Sequence, residues 1–298
     1  MVYRCAFGDV LFLGTSRHAG SKKVLLSHRS TSILVTLPGR TIFVGAGSGL
    51  ACAMKFLTKD RKIASYNGNP IDILLTSLAP SAVVGLAMSP FLVKFAEQGV
   101  KVTLHMPPEM RSHSFLGQCL LFPPSKVRKR ATEGRNFFDA IKSNEIACVT
   151  VRSHGPKPVQ LNGLDMVSSC ELGGLDALVS LAFRIGEAFF APSGWFIQGK
   201  DSESACDVLL KDAKQLVIGC PFESEINPES YPYYDGHNTI ERIITACKTA
   251  NNQPDIFLCN RLGGEAELAA FEELRTVYRN TFENSVPMIC FACDASEN

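Results

Sequence analysis

Apolar, β-branched runs bounded by Gly, Pro and Ser mark the first half of the chain as strand-rich, with candidate strands at residues 9–14, 32–37 and 41–45. Between the last two stands Leu37-Pro38-Gly39-Arg40. Proline presets φ there and glycine takes the position that other residues avoid, so these strands should form a hairpin. Helical spacing follows at residues 50–57 and 82–98, alternating with short strands at 72–76 and 100–104. Residues 106–158 are the least regular and read as loops around one or two helices. Beyond them strands are expected at 163–169, 178–185, 188–191, 215–219, 255–259 and 286–291, with helices at 202–214, 238–250 and 264–278. Each half therefore opens with strands that pair locally and closes on strand-helix units. Two mixed sheets packed face to face with helices outside satisfy that order better than one parallel sheet. The predicted class is α/β, a four-layer αββα sandwich. No linker divides the chain, so residues 1–298 read as a single domain.

Residues 73–93 contain no charged side chain and are as long as a membrane-spanning helix requires. Their content argues otherwise. Thr76, Ser77, Ser81 and Ser89 are polar, and Pro80 and Pro90 would each break a backbone ladder that lipid cannot repair. The stretch reads instead as a buried strand, a tight turn and a helix starting near Ser81. Composition agrees: 46% of the 298 residues are hydrophobic and 20% charged, which excludes a disordered chain. Thirty basic and 29 acidic residues leave a net charge of +1, so no global field points to nucleic acid or membrane. The 11 cysteines are scattered and odd in number, and residues 1–10 carry no apolar run suited to a leader. A cytoplasmic protein with no membrane partner is expected.

Several patterns invite chemistry. Gly45-Ala46-Gly47-Ser48-Gly49, between a strand and an Ala-rich helix, has the backbone that a dinucleotide-binding turn needs, with Gly45 and Ser48 as candidate contacts. Against this, the third glycine of that fingerprint would fall on Leu50, and the next expected strand, 63–67, offers no acidic residue for a ribose. Cys290 and Cys293 form a lone CxxC, too few thiols for a tetrahedral zinc site. Lys126, Arg128, Lys129 and Arg130 crowd into five residues, either a solvated surface or an RNA contact. His18, His28, His105, His113 and His154 show no ligand spacing and read as structural or surface residues.

The segment Ile71-Asp72-Ile73-Leu74-Leu75-Thr76-Ser77-Leu78-Ala79-Pro80-Ser81-Ala82-Val83-Val84-Gly85-Leu86 resembles the metallo-β-lactamase fold, in particular its tRNase Z and cyclic-phosphodiesterase branch. In that family a strand ending in Thr leads into His-x-His-x-Asp-His and then a helix with Gly-Leu. Here the surroundings are kept and the signature is replaced. Its first two histidines fall on Ser77 and Ala79, its aspartate on Ser81 and its last histidine on Ala82. By the same resemblance the third metal histidine falls near Glu171, the bridging aspartate at Ser193 and the final histidine at Asn260. Gly236-His237-Asn238-Thr239 resembles the Gly-His-Ser-Thr element of the family, leaving His237 as a possible ligand contact or a helix cap.

The family's hydrolases hold two metal ions that lower the pKa of a bridging water. Serine, alanine and asparagine do not supply such donors, and the one carboxylate, Glu171, does not hold a catalytic zinc alone. The resemblance therefore implies a catalytically inactive pseudoenzyme with no metal and no cofactor, a binding or assembly component for protein or RNA, or a homo-oligomer. Two alternatives stay open. One is a metal-independent phosphodiesterase or other hydrolase using His237 with Ser77 and Ser193; the other is nucleotide-cofactor binding at residues 45–49.

Overall fold

A computed structural model describes residues 3–14, 31–77, 80–107, 137–151, 159–172, 180–192, 210–219, 243, 247–259 and 289–291. The chain divides into two compact units, Met1–Arg152 with Cys293–Asn298, and Ser153–Ala292.

The first unit holds a seven-stranded sheet in which strand order follows chain order. β1 (Tyr3–Cys5), β2 (Gly8–Phe12), β3 (Ile33–Leu37) and β4 (Arg40–Val44) meander antiparallel. The expected hairpin is β3–β4: Leu37 pairs with Arg40 across Pro38-Gly39, and Gly39 takes φ +70°. From β4 onward the pairing is parallel, through β5 (Ile71–Leu74), β6 (Val102–Met106) and β7 (Ile146–Thr150). β5 and β6 are buried at every position, as parallel strands covered on both faces must be, which is why they read as unbroken apolar runs.

The helices depart from expectation. In place of one helix over 50–57 there is a 3₁₀ turn, Ser48–Cys52, then α1 (Met54–Leu57), followed by 3₁₀ turns at Lys59–Arg61 and Ile63–Ser65. The strand expected at 63–67 is therefore absent. In place of one helix over 82–98 there are two, α2 (Pro80–Met88) and α3 (Pro90–Glu97), divided at Ser89. Pro90 has no amide to continue a ladder and its ring meets the preceding turn, yet its φ suits the first position of a new helix. Among the described residues, no helix is long and apolar enough to cross a membrane. The stretch read as irregular contains α4 (Phe137–Lys142) and β7.

The second unit holds another seven-stranded sheet, again running in chain order, from β8 (Val159–Gln160) through β9 (Val167–Leu172), β10 (Ser180–Ile185) and β11 (Ala188–Ala191) to β12 (Gln215–Gly219), β13 (Asp255–Cys259) and β14 (Ile289–Phe291). β8 to β11 pair antiparallel and β11 to β14 parallel, the same change of direction as in the first unit. Most of the three helices expected in this half lies outside the described residues.

Candidate functional site

In open sheets with parallel strands, ligand sites gather in the loops beyond the strand C-termini. In the first unit these loops follow β4 and β5. The turn after β4 is bound tightly to its surroundings. Gly45, at φ +76°, donates its N–H to the Leu74 carbonyl at 2.8 Å, Ala46 donates to Ala82 at 2.9 Å and Gly47 to Thr31 at 3.2 Å. The Gly45 carbonyl accepts from Ser32 Oγ at 3.0 Å. Three consecutive amides are thus spent on main-chain carbonyls, whereas a phosphate cradle must keep them free. The glycines serve close packing. A Cβ on Gly49 would stand 1.7 Å from the Leu13 carbonyl oxygen, and one on Gly85 of α2 would stand 2.0 Å from that of Gly47. Of the two candidate contacts in this turn, Gly45 is buried and Ser48 half-buried.

The turn after β5 follows the expected strand-turn-helix. Ser77 is buried two residues beyond Leu75, whose amide is held by the His105 carbonyl at 2.9 Å. Ser81 lies in the backbone of α2, and Ala82 is buried there against the Gly-rich turn. In the second unit Glu171 lies on β9, opposite Leu181 of β10. Ala79, Ser193, His237, Asn260, Cys293 and the basic residues Lys126, Arg128, Lys129 and Arg130 lie outside the described residues.

No family model matches the sequence, and no curated protein matches it by sequence. Solved structures do. Yeast PDE1 in its unliganded form matches with a TM-score of 0.62 at 12% identity, covering 99% of this chain and 98% of its own. YhfI from Bacillus subtilis, a metallo-β-lactamase fold protein, gives 0.58 at 10% identity, with 95% of each chain covered. The short form of human tRNase Z gives 0.56 at 15% identity, over 85% of this chain and 92% of its own. The chain has the metallo-β-lactamase fold. The α/β class with two mixed sheets, predicted from the order of elements, is the class observed.

A zinc centre needs imidazoles, thiolates or carboxylates gathered round the ion, and the described residues of this turn do not supply them. At the described positions of the strand-turn-helix, Ser77 offers a neutral hydroxyl and Ala82 a methyl group, neither a zinc donor. Among the described residues, no three His, Cys, Asp or Glu side chains come together as a metal-binding group.

The ionisable groups that do converge were not singled out by sequence pattern. Asp72 of β5 accepts from Arg40 Nη1 of β4 at 2.8 Å through Oδ2, and meets His105 Nε2 of β6 at 2.8 Å through Oδ1. His105 is therefore a buried structural residue. A carboxylate only accepts, so Nε2 carries the proton, and the buried Nδ1 has no partner among the described residues. Register explains the convergence: Asp72 pairs with Ile42 and Thr103, and His105 with Leu74, which sets all of them on one face of the sheet. Thr41 lies on the other face, where its hydroxyl meets Tyr66 Oη at 3.2 Å. Burial raises the Tyr66 phenol pKa, and the Thr41 bond opposes this.

Proposed function

We propose that the chain is a catalytically inactive, metal-free member of the metallo-β-lactamase fold that serves in the cytoplasm as a binding or assembly component. Its partner is protein or RNA, or a second copy of itself. The observation that carries this reading is the residue set of the β5–α2 turn. By the sequence resemblance, Ser77, Ala79, Ser81 and Ala82 fall at the family's metal-ligand positions, and the matched positions Ser193 and Asn260 are equally poor donors. Glu171 is the one carboxylate of the set.

The replacements are also energetically coherent. A buried cluster of imidazoles and carboxylates left without metal keeps polar groups unpartnered, at about 1–3 kcal/mol for each. Small, mostly uncharged side chains remove that cost. The near end-to-end match to yeast PDE1 supports treating residues 1–298 as one domain. The occupied amides of Gly45, Ala46 and Gly47 weigh against a nucleotide cofactor at that turn.

The remaining alternative is metal-independent hydrolysis through His237 with Ser77 and Ser193. The test is hydrolysis of bis(p-nitrophenyl) phosphate by the purified full chain, with and without added zinc or manganese. Background rates under all conditions agree with the proposal. Turnover that His237→Ala abolishes would establish the hydrolase instead.

A further inference from the structure

We propose that the turn of residues 55–62 in the first unit is a docking surface for single-stranded nucleic acid, a site independent of the β5–α2 turn and of the reading given to it. Lys55, Lys59, Arg61 and Lys62 face one acid, Asp60, so these eight residues carry net +3 and leave the remainder of the chain at net −2. Lys59, Asp60, Arg61 and Lys62 are all exposed. None of the three cations at 59, 61 and 62 forms an ion pair among the described residues. Three exposed cations, at 59, 61 and 62, thus stand together in one turn of a chain that is nearly neutral overall.

The backbone beneath that charge is held in place. Thr58 Oγ1 donates to the Met54 carbonyl at 2.8 Å, and Ser65 Oγ lies 2.6 Å from the Lys59 carbonyl and 2.7 Å from that of Lys62. Tyr66 stacks on Phe95 with ring centroids 4.5 Å apart, and its hydroxyl donates to the Asn69 carbonyl. Asp60 and Arg61 are successive left-handed residues, at φ 53° and 57°. Glycine would adopt this conformation at lower cost. The chain bears that cost and keeps a cation at position 61.

The partly exposed Phe56 ring selects the class of partner. Lys55 Nζ lies 4.8 Å from its centroid, so an aromatic face stands among the cations. Unpaired bases stack on such a face while phosphates meet the neighbouring charges. A duplex keeps its bases stacked internally, and a membrane surface would need only the charges.

The test titrates the full chain into fluorescein-labelled oligouridylate from about 50 to 200 mM salt, with the matching duplex and phosphatidylserine vesicles alongside. Oligouridylate is expected to bind most tightly. The K59A/R61A/K62A variant should flatten the slope of log affinity against log salt by about 2, since each phosphate neutralised on a single strand contributes about 0.7. Phe56→Ala should weaken binding about tenfold at an unchanged slope. Arg61→Gly relieves the left-handed strain, so it should fold at least as well as the parent by circular dichroism and still lower the slope by about 0.7. Failure of oligouridylate to bind, a triple variant with the parent's affinity and slope, or tighter binding to duplex or vesicles would each overturn the proposal.

Discussion

Asp72 Oδ1 lies 2.8 Å from His105 Nε2, joining two buried side chains on adjacent parallel strands, while the other carboxylate oxygen is held by Arg40. Asp72 is the centre of this group because it alone touches both partners. Removing it strands a guanidinium and an imidazole, and breaking a buried ion pair from one side costs about 3–5 kcal/mol. Arg40 is one-third exposed and can turn toward water, so Asp72→Ala should cost about 3 kcal/mol. His105→Leu leaves Asp72 with Arg40 and removes the unpartnered Nδ1, so its cost should be nearer 1 kcal/mol. Urea denaturation of both variants checks the order, and a costlier His105→Leu would contradict it.

The glycines differ in what they do, and substitution should separate them. Gly49→Ala and Gly85→Ala drive a Cβ to within 1.7 Å and 2.0 Å of backbone oxygens that have little room to retreat. Each should lower stability by about 3 kcal/mol, at the upper end of overpacking costs. Gly39→Ala meets nothing within 4 Å and bears only the strain of φ +70°, about 1 kcal/mol. Thermal melts of the three variants give the comparison. Equal losses would mean that the turn after β4 is looser than described.

Ser89 divides α2 from α3, fully buried, with no cap bond and no partner for its hydroxyl among the described residues. Ser89→Ala deletes an unsatisfied donor without opening a cavity, so stability should hold or rise by up to about 1 kcal/mol. A clear loss in chemical denaturation would show that the hydroxyl has a partner.

The sequence was most legible where burial is complete. β11, β12 and β13 match their expected bounds residue for residue, because strands covered on both faces are unbroken apolar runs. The division at Ser89 was hidden because apolar spacing runs through it on both sides. β7 was hidden for the opposite reason: it lies at a sheet edge with Ala147, Cys148 and Val149 exposed, so no burial pattern marks it. At the candidate site, the strand-turn-helix around Ser77 and Ala82 was readable from its flanking residues. The Asp72–His105 pair was not, since it depends on strand register bringing together two residues 33 positions apart in the chain. Residues 45–49 were ambiguous on physical grounds, because close helix packing and phosphate cradling both call for glycine.

Cys247 gives a pH-dependent prediction. Burial pushes its thiol from 9.0 up to about 12 in the folded chain. Above pH 9 the unfolded chain releases this proton while the folded chain keeps it. The stability contribution is therefore complete below pH 9 and is lost as pH rises toward 12, at about 1.4 kcal/mol for each pH unit. Cys247→Ala should remove that slope from a series of alkaline urea titrations. An unchanged slope would place the thiol in contact with water.

Zinc content tests the central claim most directly. The full chain, expressed in zinc-supplemented medium and purified without chelator, is analysed by inductively coupled plasma mass spectrometry, with its melting temperature followed on addition of zinc and of a chelator. A metal-free member of the fold should carry zinc far below one ion per chain and melt at the same temperature in all three conditions. One or two ions per chain, with a melting temperature that falls on chelation, would contradict the account.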